Sequence, residues 1–595
     1  MTEAARSPAA RAALVLWTAL AFALVTGVLH VLINVWRHVV QGGFIWTSRE
    51  YVWMMPLGYT VLFLAVAAVL VPLALAAPRQ VGPRVVGFAF ATLGALALLL
   101  LVPGLHHLAA LALAAGIGTR AASWLARETP RRVRAMRLVA GGLAAAVAVV
   151  AVARWQSRLA AERRAIASLP APPADAPNVL LIILDTVRAA SMSFQGYARA
   201  TTPAMARRAA EGAVFEHAFS TAPWTLPSHA GAFTGRYPSG LSADWREPLD
   251  GEAPTLAEVF AAAGYRTAGF TANHLYTSYE SGLARGFQRY EDYQRTAKQM
   301  LLSTSLTQTR LFWQLLHGAG VADRLMALAR MNLRADPMWV DDRKLAPVVS
   351  RQFLDWQATL GARPFFAFVN IYDAHLPYDP PGPWRERFSP TPTPLDLYDA
   401  SIAFLDESLG AMLDELARRG ALDRTIVVIT SDHGEAFGEH GLHGHGSSLY
   451  LPELHVPLVV RYPARVPGRT RIDAPVTIRD IPATVLDLAR LPTTAPFPGS
   501  SLASTWEGEG EPARGSAVIA EVNAGINTAP HEPVSRGAMR SLIDSTHHYI
   551  RNGDGVEELY AWRSDSGEAT NLAARPEARD AVARITGALR RALGR

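Results

Sequence analysis

The fold is decided at Pro177–Thr186, PNVLLIILDT. Between Val179 and Leu184 nothing polar interrupts the apolar run, which is too short for a helix and is bounded by Pro177 and Asp185. Such a run reads as a strand buried on both faces. Two later stretches repeat the form: PFFAFVNIYDAH, from Pro364 to His375, and RTIVVITSDHGE, from Arg424 to Glu435. Amphipathic helical patterns lie between them, for example at Thr202 to Glu211 and Ser401 to Arg419. Strands alternating with helices predict an α/β fold, with a doubly wound, mostly parallel sheet covered by helices on both faces. In open sheets of this class ligands bind beyond the carboxyl ends of the strands. Here those ends carry Asp185, then Asp373 and His375, then Asp432 and His433. Any one aspartate there can simply cap the next helix; three such strand ends in one domain point to a site.

Working outward, five of the 17 histidines fall between His433 and His455, namely His433, His440, His443, His445 and His455, in a glycine-rich segment. They read either as polar loop residues or as a metal or anion site. Upstream, TAPWTLPSHAGAFTGRYP at Thr221–Pro238 sets Thr225 just before a Leu-Pro-Ser-His run. Pro227 suits an early helical position, which puts Thr225 at or next to the N-cap. It can serve as a cap, but a helix N-terminus also favours negative charge, either a bound phosphate or a threonine alkoxide. A hydroxyl is a weak nucleophile until something such as a divalent metal lowers its pKa.

The chain before the first strand is of another kind. Five apolar stretches, about Ala12 to Val35, Trp53 to Ala77, Val85 to Val102, Leu105 to Leu125 and Leu138 to Ala153, predict a helical membrane domain of about five spans over residues 1–153. Arg6 and Arg11, Arg79 and Arg84, and Arg127, Arg131, Arg132, Arg134 and Arg137 all fall on one side of a five-span path. The positive-inside rule makes that side the cytoplasm and puts everything after Ala153 outside. The expectation is thus a multi-pass protein of the cytoplasmic (inner) membrane with a periplasmic or extracellular catalytic domain. The first span has no evident small-residue cleavage site and reads as an uncleaved anchor. Residues 154–177 form a linker that passes from a charged helical stretch to the proline-rich SLPAPPADAP, and 178–595 the second domain. The chain has no cysteine, which excludes disulfides, thiolate metal sites and a cysteine nucleophile. Its net charge of +6 gathers beside apolar segments and reads as topology, with no nucleic-acid partner expected.

Taken in order, PNVLLIILDTVRA, WTLPSHAGAFTGRYP, FFAFVNIYDAHLPYDPP, SDHGEAFGEHGLHGHG and HYIRNGDGVEELY resemble the sulfatase family of the alkaline phosphatase superfamily. Five spans ahead of such a domain also resemble lipoteichoic-acid synthases and membrane phosphoglycerol or phosphoethanolamine transferases. The resemblance implies one divalent ion (Mn²⁺, Mg²⁺, Ca²⁺ or Zn²⁺) with Asp185, Asp432, His433 and Thr225 as ligands. It implies Thr225 as nucleophile and His445 as a catalytic partner, with His375, His443 and His274 as substrate-binding candidates. Family sulfatases carry Cys or Ser in C/S-x-P-S-R, converted to formylglycine. This chain reads Thr225-Leu226-Pro227-Ser228-His229, and threonine gives no such aldehyde. The usual aspartate pair is Asp185-Thr186, and the Gly-Lys-Trp-His-Leu of many sulfatases is Thr271-Ala272-Asn273-His274-Leu275. These departures favour in-line attack on phosphorus over sulfate hydrolysis, on substrates that include lipid-linked or surface-glycan esters presented at the bilayer. A sulfuric ester hydrolase without formylglycine, or an inactive membrane scaffold or sensor, stays as the alternative. Tyr293 to Ala346 shows helical periodicity but no legible chemistry and reads as shaping the substrate cleft or leaning on the membrane, and Ser239 to Glu252 reads as a surface loop.

Overall fold

A computed structural model describes all residues except 1–6, 42–46, 128–129, 310–342, 492–496, 508–517, 527 and 595. The chain divides into two compact units, Met1–Ala161 with Tyr293–Asp342, and Glu162–Asp292 with Arg343–Arg595. Arg6 and most of the uninterpreted 293–346 segment therefore lie outside the described residues.

The five apolar stretches form five helices, α1 Pro8–Gln41, α2 Tyr51–Ala76, α3 Pro83–Leu99, α4 His107–Ala126 and α5 Pro130–Ala167. Four are long and apolar enough to cross a membrane, whereas α3 has 17 residues, about 26 Å at 1.5 Å per residue. The five expected spans thus become four plus one shorter helix. Val15, Ala19, Ala23, Tyr59, Phe63, Val86 and Phe90 interlock α1, α2 and α3 in one core. Small residues let the backbones close: a Cβ added at Gly27 of α1 would collide with Pro56 of α2. Of the exposed large apolar residues among those described, all but four lie at or before Trp155. An apolar outer surface of that extent suits lipid and not water. The fifth apolar stretch and the charged stretch after it are one continuous helix, which leaves the proline-rich spacer to residues after Ala167.

In the second unit a nine-stranded sheet is built from β1 Asn178–Leu184, β2 Ala213–Phe219, β3 Arg266–Phe270, β4 Arg289–Glu291, β5 Phe365–Ile371, β6 Thr425–Ser431, β9 His455–Arg461, β10 Thr470–Ile472 and β11 Val476–Thr477. Its order is β10-β2-β9-β6-β1-β5-β3-β4, with β11 also on β2. Only β9 runs against its neighbours β2 and β6; every other pairing is parallel. The three runs singled out in the sequence are the adjacent central strands β6, β1 and β5, and every residue from Val179 to Leu184 is buried. Helices α6 Pro203–Ala209, α7 Thr225–Thr234, α8 Leu256–Ala262, α9 Ala297–Leu302, α10 Ala346–Gln357 and α11 Pro394–Arg418 follow in chain order, α9 belonging to the first unit. A hairpin of β7 Ala436–Phe437 and β8 His443–Gly444 lies beyond β6.

A second, antiparallel sheet, β12 Val518–Val522, β13 Met539–Ile543, β14 His548–Arg551 and β15 Glu557–Tyr560, ends the chain. Ile585 and Leu589 of the terminal helix Arg579–Ala592 cover one face, against Ile519, Leu542 and Tyr549. The other face packs Leu449, Leu451 and Leu454, so this sheet backs the loop that follows His445.

Candidate active site

Strand register creates the site. Leu184 of β1 lies opposite Ser431 of β6 and Ile371 of β5, so the next residues, Asp185 and Asp432, emerge side by side from strands about 4.8 Å apart. Both are fully buried. Asp185 accepts from Asn273 Nδ2 at 2.8 Å. Asp432 Oδ1 accepts from the backbone N–H groups of Thr186 and His433 at 3.1 and 2.9 Å. Thr186 holds φ +61°, a strained state for a β-branched residue, at the turn where its N–H meets Asp432.

The remaining carboxylate oxygens, Asp185 Oδ1 and Asp432 Oδ2, are buried without a hydrogen-bond partner. Burial pushes the Asp185 carboxyl up to about 6. Burial first, and then the charge of Asp185, push Asp432 well above the ordinary carboxylate range. His433 donates Nδ1–H to the Gly434 carbonyl at 3.0 Å, which turns the Nε2 lone pair towards Thr225 Oγ1 at 3.3 Å and Asp432 Oδ2 at 3.5 Å. Burial holds its pKa well below the usual imidazole value, so the ring is neutral. Ligand atoms of Asp185, Asp432 and His433 all lie within 4.8 Å of one another. Two dry, facing carboxylates beside a neutral imidazole are costly unless a cation joins them, and this donor set fits a divalent ion.

Thr225 opens α7, with Trp224 at the N-cap and no side-chain cap bond. Its hydroxyl is therefore free of the capping role and is buried beside His433. One turn on, His229 donates Nδ1–H to the Thr225 carbonyl at 2.8 Å and sits 3.4 Å from Asp432 Oδ2; burial lowers its pKa to about 4. Ser228 Oγ donates to the Asp432 carbonyl at 2.5 Å, which ties the helix start to the strand end.

His375 and His445 complete an imidazole group, with ring centroids 5.0 Å apart and that of His433 4.4 Å from His445. His375 stacks on Tyr372 at 4.2 Å and donates Nδ1–H to the Leu376 carbonyl; burial keeps it neutral. Glu435 accepts from His445 Nδ1 at 2.9 Å. Burial disfavours charge on His445, but the Glu435 carboxylate more than offsets this and the net shift is upward.

Several expectations are redistributed. Asp373 turns out to cap α10, accepting from Ala346 N at 2.9 Å. The five histidines do not form one cluster: His440 stacks on Tyr450 at 3.7 Å, His443 is exposed on β8 opposite Phe437, and His455 bonds the Glu216 carbonyl. His274 lies one residue past Asn273, and it is Asn273 that reaches Asp185. The structure thus adds Asn273, His229 and Glu435. Only His229, standing where the family has arginine, carried a signal in the sequence. The loop read as plain surface brings Trp245 to within 4.6 Å of Trp224, whose ring lies 5.4 Å from His445.

Downstream of His445, buried Glu453 accepts from Ser447 N and Oγ at 3.1 and 3.0 Å and from Ser448 Oγ at 2.5 Å. Burial raises its carboxyl to about 7 from the ordinary 4.5. With the folded pKa above the unfolded one, the contribution of Glu453 to stability is fully present below pH 4.5 and is lost as pH rises through 7, by on the order of 3 kcal/mol. Melting curves of the wild type and Glu453→Gln should diverge in that sense between pH 5 and 8; parallel curves would show Glu453 to be ionised throughout.

A model of the sulfatase family matches residues 177–491. This chain belongs to the sulfatase family. An ulvan-active sulfatase of Formosa agariphila is 24% identical over 423 residues, covering 67% of this chain and 78% of its own. An arylsulfatase of Clostridium perfringens is 24% identical over 459 residues, covering 67% and 90%. Among solved structures, the phosphonate monoester hydrolase of Agrobacterium radiobacter superposes with a TM-score of 0.56 at 22% identity, covering 70% of this chain and 96% of its own. The chain is thus an ester hydrolase of alkaline-phosphatase-like fold. Enzymes of this family bind a divalent metal ion, and the buried Asp185, Asp432 and His433 are where this chain offers one a place.

Proposed function

We propose that this sulfatase-family enzyme is a membrane-anchored hydrolase or transferase of phosphate esters, with the Thr225 hydroxyl as its nucleophile. The observation that carries the reading is a buried hydroxyl at a helix start, free of capping duty and 3.3 Å from His433 Nε2, beside two unpartnered carboxylate oxygens. A divalent ion held by Asp185, Asp432 and His433, with Thr225 as a further ligand, would supply the positive charge that lowers the threonine pKa and offsets charge on the ester oxygens. Thr225 Oγ1, its proton given up to solvent, attacks phosphorus in line, aided by the α7 N-terminus. His375, neutral with its proton on Nδ1, turns an Nε2 lone pair to the site and accepts from a substrate hydroxyl. His445, protonated against Glu435, gives its Nε2 proton to the departing alkoxide as the ester P–O bond breaks. The same nitrogen then takes a proton from the water or acceptor alcohol that resolves the phosphothreonine.

His445→Gln should lower kcat/KM for alkyl phosphates by about 10² to 10³-fold and for 4-nitrophenyl phosphate far less, because a nitrophenolate leaves without a proton and kcat/KM does not include the resolving step. Equal losses on both would remove His445 from the leaving-group role. The assay that tests the reading supplies purified enzyme and Mn²⁺ with phosphomonoester, phosphodiester and sulfate ester of one alcohol. Faster turnover of a phosphate ester is expected. Faster sulfate turnover selects the second reading, a sulfuric ester hydrolase without formylglycine, which the sulfatase relatives favour. No turnover of any ester returns the inactive scaffold.

We also place the catalytic unit on the periplasmic or extracellular side of the cytoplasmic membrane, with α3 as the fifth crossing, because Arg79 and Arg84 flank the α2–α3 turn and Arg134 and Arg137 open α5. That side suits lipid-linked or surface-glycan esters. The absence of cysteine makes labelling clean: in intact cells an impermeant maleimide should label Ser566→Cys and spare Gln80→Cys. The reverse pattern would invert the topology.

A further inference from the structure

The segment after β4, for which the sequence offers either the substrate cleft or the membrane, leaves the catalytic unit. Tyr293–Asp342 groups with the membrane helices. Its described part, through Thr309, is held there by specific contacts. Gly58 of α2 faces α9 so closely that an added Cβ would collide with the Met300 carbonyl oxygen and come within 2.8 Å of Thr304 Cγ2. Tyr59 hydroxyl bonds Ser305 Oγ at 2.8 Å and accepts from Ser305 N at 3.1 Å, while Ser305 Oγ donates to the Ala97 carbonyl of α3 at 2.6 Å. Leu306 enters the α1–α3 core with Tyr59, Phe63 and Phe90. Arg295 lies 3.8 Å from buried Glu50, which Arg158 also pairs at 2.6 Å, and its guanidinium covers the Trp155 ring at 4.9 Å.

Depth follows from position along the helices. Tyr59 lies eight residues into α2, about 12 Å from its start at 1.5 Å per residue, and Ala97 is near the C-terminal end of α3. Both ends lie opposite the Arg79 and Arg84 turn. Past Leu302 the segment is no longer helical, yet Ser303 to Thr307 are buried. The hydroxyls of Ser303, Thr304 and Thr309 bond carbonyls of their own segment. Irregular backbone at membrane depth is tolerated only where protein covers it and its polar groups are satisfied, and hydroxyl-to-carbonyl bonds of this kind hold membrane segments together.

We infer that Tyr293–Thr309 is a re-entrant element, seated in the outer-leaflet end of α1–α3, which anchors the catalytic unit to the membrane helices a second time. The catalytic chain is tied in by the α5 spacer on one side and by this insertion on the other. The inference needs neither the metal nor turnover.

A protease site placed in the spacer at residues 168–176 of the full-length enzyme tests it. After complete cleavage the 177–595 fragment should stay in the membrane pellet and co-purify in mild detergent with an N-terminally tagged helical fragment. Gly58→Leu, which fills the space of Met300 and Thr304, should release most of it. Release of the wild-type fragment on cutting, or equal retention in Gly58→Leu, would overturn the second anchor. Independently, a cysteine at Ser305 should resist an impermeant maleimide until the protein is denatured; ready labelling in intact cells would also overturn it.

Discussion

Replacing Thr225 by alanine is expected to reduce kcat by at least about 10³-fold while leaving the fold in place. The residue has two conceivable duties, capping α7 and attacking the ester, and the structure separates them. The N-cap is Trp224, and no side-chain bond from Thr225 closes the helix, so the loss of its hydroxyl costs little stability. Thr225→Ser, which keeps the oxygen and gives up only the methyl group, should retain measurable turnover. The kinetic signature is a stoichiometric burst of alcohol with the wild type, lost in Thr225→Ala, alongside a phosphorylated peptide spanning Thr221–Arg236. Full activity in Thr225→Ala would remove the nucleophile from the account and leave water as the attacking group.

Asp432→Asn is expected to do comparable damage to turnover for another reason, and its signature is opposite in sign for stability. Asp432 Oδ1 holds two backbone N–H groups, which an asparagine oxygen can still accept, so the loop keeps its shape. The substitution removes a charge from a fully buried site where Asp185 and Asp432 repel each other. Without added metal the variant should therefore melt higher than the wild type, because an uncompensated buried carboxylate is gone. With metal the order should invert. Wild-type Tm should rise with Mn²⁺ by mass action, the variant's should not move, and bound metal should fall from about one ion per chain to below about 0.1. A variant that still binds one ion at wild-type affinity would exclude Asp432 as a ligand.

The central strands and their terminal acids could be read directly because a strand buried on both faces leaves an uninterrupted apolar run. Any residue just past it lies at the sheet's carboxyl edge. Asp185 and Asp432 were legible in that way; their meeting depends on the Leu184–Ser431 register, which no single strand encodes. Asp373 shows the limit: it stands two residues past β5 where Asp185 and Asp432 stand one past β1 and β6, and it serves a helix cap. The histidines were legible as a concentration but not as a geometry. Glycines at positive φ, among them Gly438, Gly441 and Gly446, turn the loop repeatedly, so neighbours in sequence such as His443 and His445 part company. Trp245 and Asn273 reach the site along irregular paths with no periodicity to betray them. The return of Tyr293–Thr309 to the helical unit was hidden because its apolar run is short and rich in Ser and Thr, which read as loop until their carbonyl partners are seen.

The central claim is that one divalent ion joins Thr225 to strand ends distant in sequence, and an anomalous-scattering map from crystals grown with Mn²⁺ tests it most directly. The expected result is one peak about 2.0–2.6 Å from a carboxylate oxygen of Asp185, one of Asp432, His433 Nε2 and Thr225 Oγ1. A map with no peak among these four atoms, or a peak that leaves Thr225 Oγ1 beyond about 4 Å, would contradict it.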